Sequence, residues 1–248
     1  PRSAPPVLSH PLQIAGNLPH PRSHHTASLV EFDEEVDGEA EKKIFIIGGY
    51  GGNGSARDFS MDVHALDLDT WSWSKIERVK GIAPKPRADH TVCVADNLLI
   101  LSGGRGASTK GFNGYFDDVH ILDLAEQEWK RPPGFSGDGT AAWPALPTTL
   151  WNHMAIAIES VPSYRMFVFG GQKSEFVYSD SCTVLDTGRM TWNVPQFAQS
   201  QPAFPSARED SGCAYDSKTC NVLFFGGWRQ VGRDDPTLPA PPPPTPHA

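Results

Sequence analysis

The side chains with the most chemical potential fall into three groups. Histidines form the first: His20, His24 and His25 crowd the stretch "PHPRSHH", with His10 nearby, and His64 and His120 occupy matching places in two similar segments. Imidazoles gathered in space can bind a transition metal. His24 and His25, however, are adjacent, and neighbours on an extended chain point to opposite faces. Glycines form the second group. "GGYGGNGSARD" (48–58) resembles a phosphate cradle at first sight. A true cradle ends in Lys-Ser/Thr and opens a helix, and neither follows here. Cysteines form the third: Cys93, Cys182, Cys213 and Cys220 include no CxxC pair. A hairpin around "DSKT" would set Tyr215 opposite Cys220 and Cys213 opposite Val222, so register does not prepare a disulfide. Reduced, mostly buried thiols point to a cytoplasmic setting. No GxSxG, HExxH or paired-carboxylate motif stands out. The reading is therefore of a non-enzyme with no catalytic residue, metal or cofactor.

The elements that position these groups follow from composition and pattern. The chain has 248 residues, 23 Gly, 23 Pro and a net charge of −8. That length can bury a sizeable core. The acidic balance gives no general attraction to nucleic acid or an anionic membrane surface. No apolar run reaches the roughly 18 residues of a membrane span. The chain opens on Pro1, without an initiator Met or a secretory leader, and reads as processed or as a piece of a longer one.

Three landmarks recur with a long period. An apolar run ending in Gly-Gly occurs at "IFIIGG", "LILSGG", "FVFGG" and "LFFGG", with second glycines Gly49, Gly104, Gly171 and Gly227 at intervals of 55, 67 and 56 residues. The first glycines are Gly48, Gly103, Gly170 and Gly226. A Leu-Asp pair stands six residues before a Trp in "DVHALDLDTWSW", "DVHILDLAEQEW" and "SCTVLDTGRMTW", which end near Trp73, Trp129 and Trp192. An Arg-x-x-His pair precedes the Gly-Gly run at Arg22/His25 and Arg87/His90. The third copy has Leu150 with His153, and the fourth Arg208 with Ser211. Each unit reads as four short strands, the second apolar without alternation, as a strand buried on both faces should be. No segment has helical periodicity.

This combination resembles the kelch repeat. The resemblance implies an all-β, kelch-type β-propeller with about three complete four-stranded blades and partial blades at both ends. The expected boundaries are 1–20, a lead-in ending in the last strand of a preceding blade; 21–80, 81–145 and 146–204, three blades; 205–229, the first half of a further blade; and 230–248, a proline-rich linker or tail. The paired glycines and the tryptophans are then structural positions, and Arg22, Arg87 and Arg208 resemble the kelch arginine that ties adjacent blades. A closed ring of about six blades needs more strands than the chain supplies. The remaining blades would come from the same longer chain or from a second copy. The insertion "EFDEEVDGEAEKK" (31–43) reads as an acidic loop or solvated hairpin tip, with contact to a basic partner as the alternative.

The loops after each Gly-Gly gather on one face of such a propeller. They hold Tyr50, Arg57, Phe59, Arg105, Lys110, Phe112, Tyr115, Phe116, Lys173, Phe176 and Tyr178, and the fourth begins with Trp228 and Arg229. Exposed aromatics with Arg are the usual make-up of an interaction hot spot. The expected function is a non-catalytic scaffold that binds a protein or peptide partner there, in a cytoskeletal or other multiprotein assembly. The alternatives are a substrate-receptor or regulatory propeller attached to a ubiquitin ligase or a phosphatase and, more remotely, a copper radical oxidase-like enzyme. "PAPPPPTP" could dock a polyproline-reading module or serve as a stiff spacer.

Overall fold

The structure, a computed structural model, describes residues 14–36, 39–52, 58–107, 113–130, 145–196 and 205–229. Every element is a β-strand. The first blade uses Thr26–Val36, Glu39–Gly51, Asp58–Asp67 and Ser72–Lys75. The second uses Thr91–Ala95, Leu98–Ser102, Val119–Asp123 and Glu128–Lys130, and the third Met154–Ser160, Ser163–Phe169, Cys182–Asp186 and Thr191–Asn193. A fourth unit has two strands, Glu209–Asp216 and Asn221–Trp228. Strands pair antiparallel with their sequence neighbours within each blade. The first strands of successive blades lie side by side and ring the axis.

The repeated Leu-Asp…Trp spacing has a local cause. Asp67, Asp123 and Asp186 each use Oδ1 to accept backbone N–H groups two or three residues on. The chain turns around that carboxylate, through a left-handed residue at Trp71, Gln127 or Met190. The turn then delivers Trp73 opposite Leu66, Trp129 opposite Leu122 and Trp192 opposite Leu185.

The core lies between blades. Val30, Ile47 and Val63 of the first blade meet Leu99, Leu101 and Trp129 of the second. Cys93, Ile100 and Val119 of the second meet Leu150, Met166 and Leu185 of the third. In the three complete blades the second strand is covered on both faces, which explains its unbroken apolar run, whereas in the fourth unit Leu223 and Phe225 stand exposed. The third junction is thinner: Met154, Phe169 and Cys182 meet Phe224 and Cys213.

Two expectations need correction. The described part of the lead-in does not supply the last strand of a preceding blade. Ala15–Gly16 pairs in parallel with Ser72 and Trp73 on the outer edge of the first blade, and Lys80–Gly81 does the same against Glu128 and Trp129 of the second. Glycine permits this approach: a Cβ at Gly16 would sit 2.0 Å from the Trp73 carbonyl oxygen, and at Gly81 2.2 Å from that of Trp129. The acidic insertion belongs to a hairpin, the second of the two forms expected for it. It lengthens the first hairpin through pairs such as Glu31 with Lys42 and Glu35 with Ala40, with a bulge between. The last hairpin also pairs two residues further on than expected, so Cys213 faces Phe224 and Tyr215 faces Val222. The four cysteines are unpaired.

Candidate functional site

In an antiparallel blade the start of strand one, the end of strand two and the start of strand three share one rim. The Gly-Gly turns and the Arg-x-x-His entries therefore lie together. The glycines take left-handed conformations throughout, from φ 61 at Gly103 to φ 100 at Gly49, where other residues are strained. They bring the backbone against the next blade: a Cβ at Gly103 would lie 2.4 Å from the Leu150 carbonyl oxygen.

Three backbone hydrogen bonds fasten every junction. Gly49 donates to the Arg87 carbonyl, Gly104 to that of Leu150 and Gly171 to that of Arg208, each at 2.8 Å. In return, the amide of Arg87 donates to Ser60, that of Leu150 to Phe116 and that of Arg208 to Ser179. The third bond circles the axis: Asp89 donates to the His24 carbonyl, Asn152 to that of Asp89 and Asp210 to that of Asn152, at 2.9–3.1 Å. Imidazoles add a further tie in two junctions. His90 Nε2 lies 3.4 Å from the Thr26 hydroxyl and His153 Nε2 2.8 Å from that of Thr91.

The arginine side chains do a different job from the one expected. They close their own blade. Arg22 Nη1 donates to the Gly48 carbonyl at 3.0 Å and pairs with Asp62, while Arg87 Nη1 donates to the Gly103 carbonyl at 2.8 Å and pairs with Asp118. His64 and His120 in turn contact these same carboxylates. The role follows from geometry: the guanidinium reaches sideways along its own sheet, while the arginine's carbonyl faces the neighbouring blade. Burial acts to raise Asp62 and Asp118, but the arginine, Ser60 and His64 for Asp62, and the arginine and His120 for Asp118, hold both well below the usual carboxylate range.

The axial mouth is defined by His24, singled out in the sequence only as one of a histidine cluster, and by Asp89, Asn152 and Asp210, which the sequence reading missed. All four are left-handed, with φ 52–57. They line a cavity of about 320 Å³ with His25, His90, His153, Ser211 and Gly212. Each stands one residue before the His/Ser position of the repeat. The available signal was residue type, since Asn, Asp and His tolerate this conformation best among non-glycine residues. His24 Nδ1 lies 2.6 Å from Asp89 Oδ1, and Arg105 also pairs with Asp89. Asn152 donates to Glu209 at 2.9 Å. Burial, then Glu209 and Asp89, raise the pKa of Asp210, against a lowering pull from His24. Burial drives His90 and His153 down to about 3, with Arg87 adding to the effect on His90. These imidazoles are neutral at physiological pH. Among the described residues no group of three or more His, Cys, Asp or Glu is arranged to hold a metal.

The loop residues divide. Arg105 sits 4.8 Å over the Trp151 ring, and Tyr115 stacks on the same ring at 6.0 Å. Phe116 covers the Arg87 guanidinium at 4.1 Å. These three are turned into blade junctions and are half-buried. Tyr50 packs on Phe59, Tyr178 meets Trp228 edge-on, Lys173 Nζ reaches Ser181 and Arg229 reaches Ser206. Outward exposure is concentrated in Phe176 (70%), Trp228 (54%) and Tyr50 (38%). Arg57, Lys110, Phe112, His10 and the proline-rich tail lie outside the described residues.

Three four-stranded meanders and a two-stranded hairpin around one axis, joined at Gly-Gly turns, define a kelch-type β-propeller. Residues 8–144 match the KLHDC2/KLHL20/DRC7 Kelch-repeats domain, and the chain belongs to that family. It is similar to the flagellar outer arm dynein alpha chain of Chlamydomonas reinhardtii, 32% identical over 227 residues, which are 88% of this chain and 4% of that one. It is 33% identical over 182 residues to acyl-CoA-binding domain-containing protein 4 of Arabidopsis thaliana, covering 72% of this chain and 24% of the relative. Human Kelch domain-containing protein 1 is 29% identical over 192 residues, 77% of this chain and 38% of that one. The chain thus spans well under half of each of these relatives. Among solved structures YjhT shares the fold, with TM-score 0.57 and 17% identity over 86% of this chain and 61% of that one.

Proposed function

We propose that this propeller is a non-catalytic interaction module whose Gly-Gly rim holds a protein or peptide partner. The observation that carries this reading is the axial mouth, where each of the four units contributes one left-handed polar residue to a single cavity. Tyr50, Phe176 and Trp228 stand exposed in the loops of the same rim. A rigid disc with variable polar side chains at its hub and aromatics around it suits recognition of an extended segment. The similarity to a flagellar outer arm dynein chain supports a place in a large cytoskeletal assembly. The attached-receptor alternative, on a ubiquitin ligase or a phosphatase, uses the same rim.

The test compares rim and opposite-rim variants in proximity labelling from the native assembly. Asp210→Ala, Phe176→Ala and Trp228→Ala are expected to remove a shared set of neighbours that Tyr164→Phe and Arg189→Ala retain. Loss through the opposite-rim variants alone would contradict the proposal.

A further inference from the structure

The junction between the second and third blades opens a hollow at a place that larger side chains occupy in the junction before it. Register fixes the comparison. Ala95 pairs with Leu98 and Ile100 with Ile121 in the second blade, as Val30 pairs with Lys43 and Phe45 with Ala65 in the first. Across each junction stands the residue that follows the turn carboxylate. It is Leu124, whose N–H donates to the Asn97 carbonyl, and Thr187, whose N–H donates to that of Tyr164. In the first junction Val30, Phe45 and Leu124 pack together and are 8% exposed or less. The second has Ala95, Ile100 and Thr187 at those places. Each is smaller, and a cavity of about 370 Å³ stands there.

Its floor and mouth differ in chemistry. Ala95, Leu98, Ile100 and Ile121 form an apolar floor. At the mouth Tyr164 of the third blade donates its hydroxyl to Asp96 Oδ1 of the second at 2.5 Å, and the other oxygen of Asp96 has no partner among the described residues. Lys130 is already held by Asp123 Oδ2 at 2.6 Å. The Thr187 hydroxyl is spent on the Tyr164 backbone, taking its N–H and donating to its carbonyl, both at 2.9 Å. The bond to Asp96, then burial, then the charges of Asp96 and Glu159 push the Tyr164 hydroxyl up to about 12, against a lowering pull from the Asp96 backbone. Negative charge prevails at this mouth: among the lining residues Asp96 and Asp123 stand against the single cation Lys130.

We propose that this hollow binds a small amphipathic cation, a primary amine that carries one aromatic ring. The ring takes the apolar floor, at the place where the first junction seats its own Phe45. The ammonium takes the open oxygen of Asp96, and such charge-assisted contacts are shorter and stronger than neutral ones. Ligand sites of this small size are mostly apolar, with a few placed polar groups that fix orientation. An anion of the same shape would meet the Asp96 carboxylate and would have to take Lys130 from Asp123. The hollow lies on the rim opposite the Gly-Gly turns, so it is independent of the partner surface proposed above.

The test titrates the full chain with para-fluorophenethylamine and follows the ligand by fluorine NMR. Saturable binding is expected. The matching alcohol, para-fluorophenethyl alcohol, keeps the ring without the charge and should bind about tenfold more weakly, as for loss of a charge-assisted bond. The matching anion, para-fluorophenylacetate, should bind more weakly still. Asp96→Asn, a change at an exposed residue, should bring the amine down to the level of the alcohol and leave the alcohol unchanged. Copying the first junction with Ala95→Val, Ile100→Phe and Thr187→Leu together should remove binding of both, with a cooperative thermal transition showing that the chain is folded. If that filled variant does not fold, Asp96→Asn decides. Absence of saturation at millimolar amine, equal affinity for amine, alcohol and acetate, unchanged amine binding in Asp96→Asn, or full binding by the folded filled variant would each overturn the proposal.

Discussion

The second and third blades are built alike, but only one carries the side-chain triad. In the second, Arg87, Asp118 and His120 form a connected polar set, with Arg87 fully buried. In the third, Leu150, Ser181 and Thr183 stand at the same places. The equivalence rests on the bonds from Gly103 to the Asp118 carbonyl and from Gly170 to that of Ser181. Leu150 joins the apolar core beside Ile100 and Val119. The junction between the two blades nevertheless keeps all three backbone bonds. Fastening between blades is therefore a property of the backbone and its glycines. The triad closes each blade internally and can be exchanged as a set for apolar packing.

Glycine variants should separate the complete junctions from the open one most strongly. Gly103→Ala forces a Cβ against the Leu150 carbonyl and is expected to cost about 4 kcal/mol or more, at the extreme of single substitutions. Gly226→Ala meets no neighbour and should cost only the left-handed strain of about 1–2 kcal/mol. Chemical denaturation of both variants checks the contrast, and equal losses would erase it.

The triad gives the next largest effect. Asp118→Asn strands a buried guanidinium and should cost about 3–5 kcal/mol. Copying the third blade with Arg87→Leu, Asp118→Ser and His120→Thr together should cost less than the three single changes summed. Residues in one network couple by about 0.5–3 kcal/mol. Strict additivity would show that the triad is not a unit.

Acid should loosen the hub before it loosens the triad. His90 and His153 titrate near 3 in the fold, against about 6.5 when unfolded. The unfolded chain binds more protons in this window, so stability is complete above about pH 6.5 and falls as pH drops toward 3. The slope is about 1.4 kcal/mol per pH unit for each histidine. His153→Gln should halve it. Asp62 and Asp118 are held low, so their contribution is present above the ordinary carboxylate pKa and disappears at still lower pH. The smallest effect belongs to the exposed Tyr164–Asp96 hydrogen bond at 2.5 Å on the opposite rim. Tyr164→Phe should change stability by less than about 1 kcal/mol.

Much of this architecture was legible because it repeats. The Gly-Gly pairs and the Leu-Asp…Trp spacing encode turns that only certain residues make, so they recur with fixed identity. The axial set was hidden because His24, Asp89, Asn152 and Asp210 share a backbone conformation and no single identity, and His24 alone drew notice, as one of a histidine cluster. Asp62 and Asp118 were visible in "DVH", but their partners lie 40 and 31 residues away. Gly16 and Gly81 looked like ordinary loop glycines until the parallel outer strands showed what they approach. Arg105, Tyr115 and Phe116 read as exposed loop residues because the ring they cover, Trp151, and the cation, Arg87, come from other segments.

Amide hydrogen exchange at Gly49, Gly104, Gly171 and Gly227 tests the backbone account most directly. The first three should exchange slowly and alike, whether an arginine or Leu150 supplies the carbonyl. Gly227, which no next-blade carbonyl meets among the described residues, should exchange fast. Fast exchange at Gly104, with Gly49 and Gly171 protected, would instead make the arginine side chain the fastener and contradict the account.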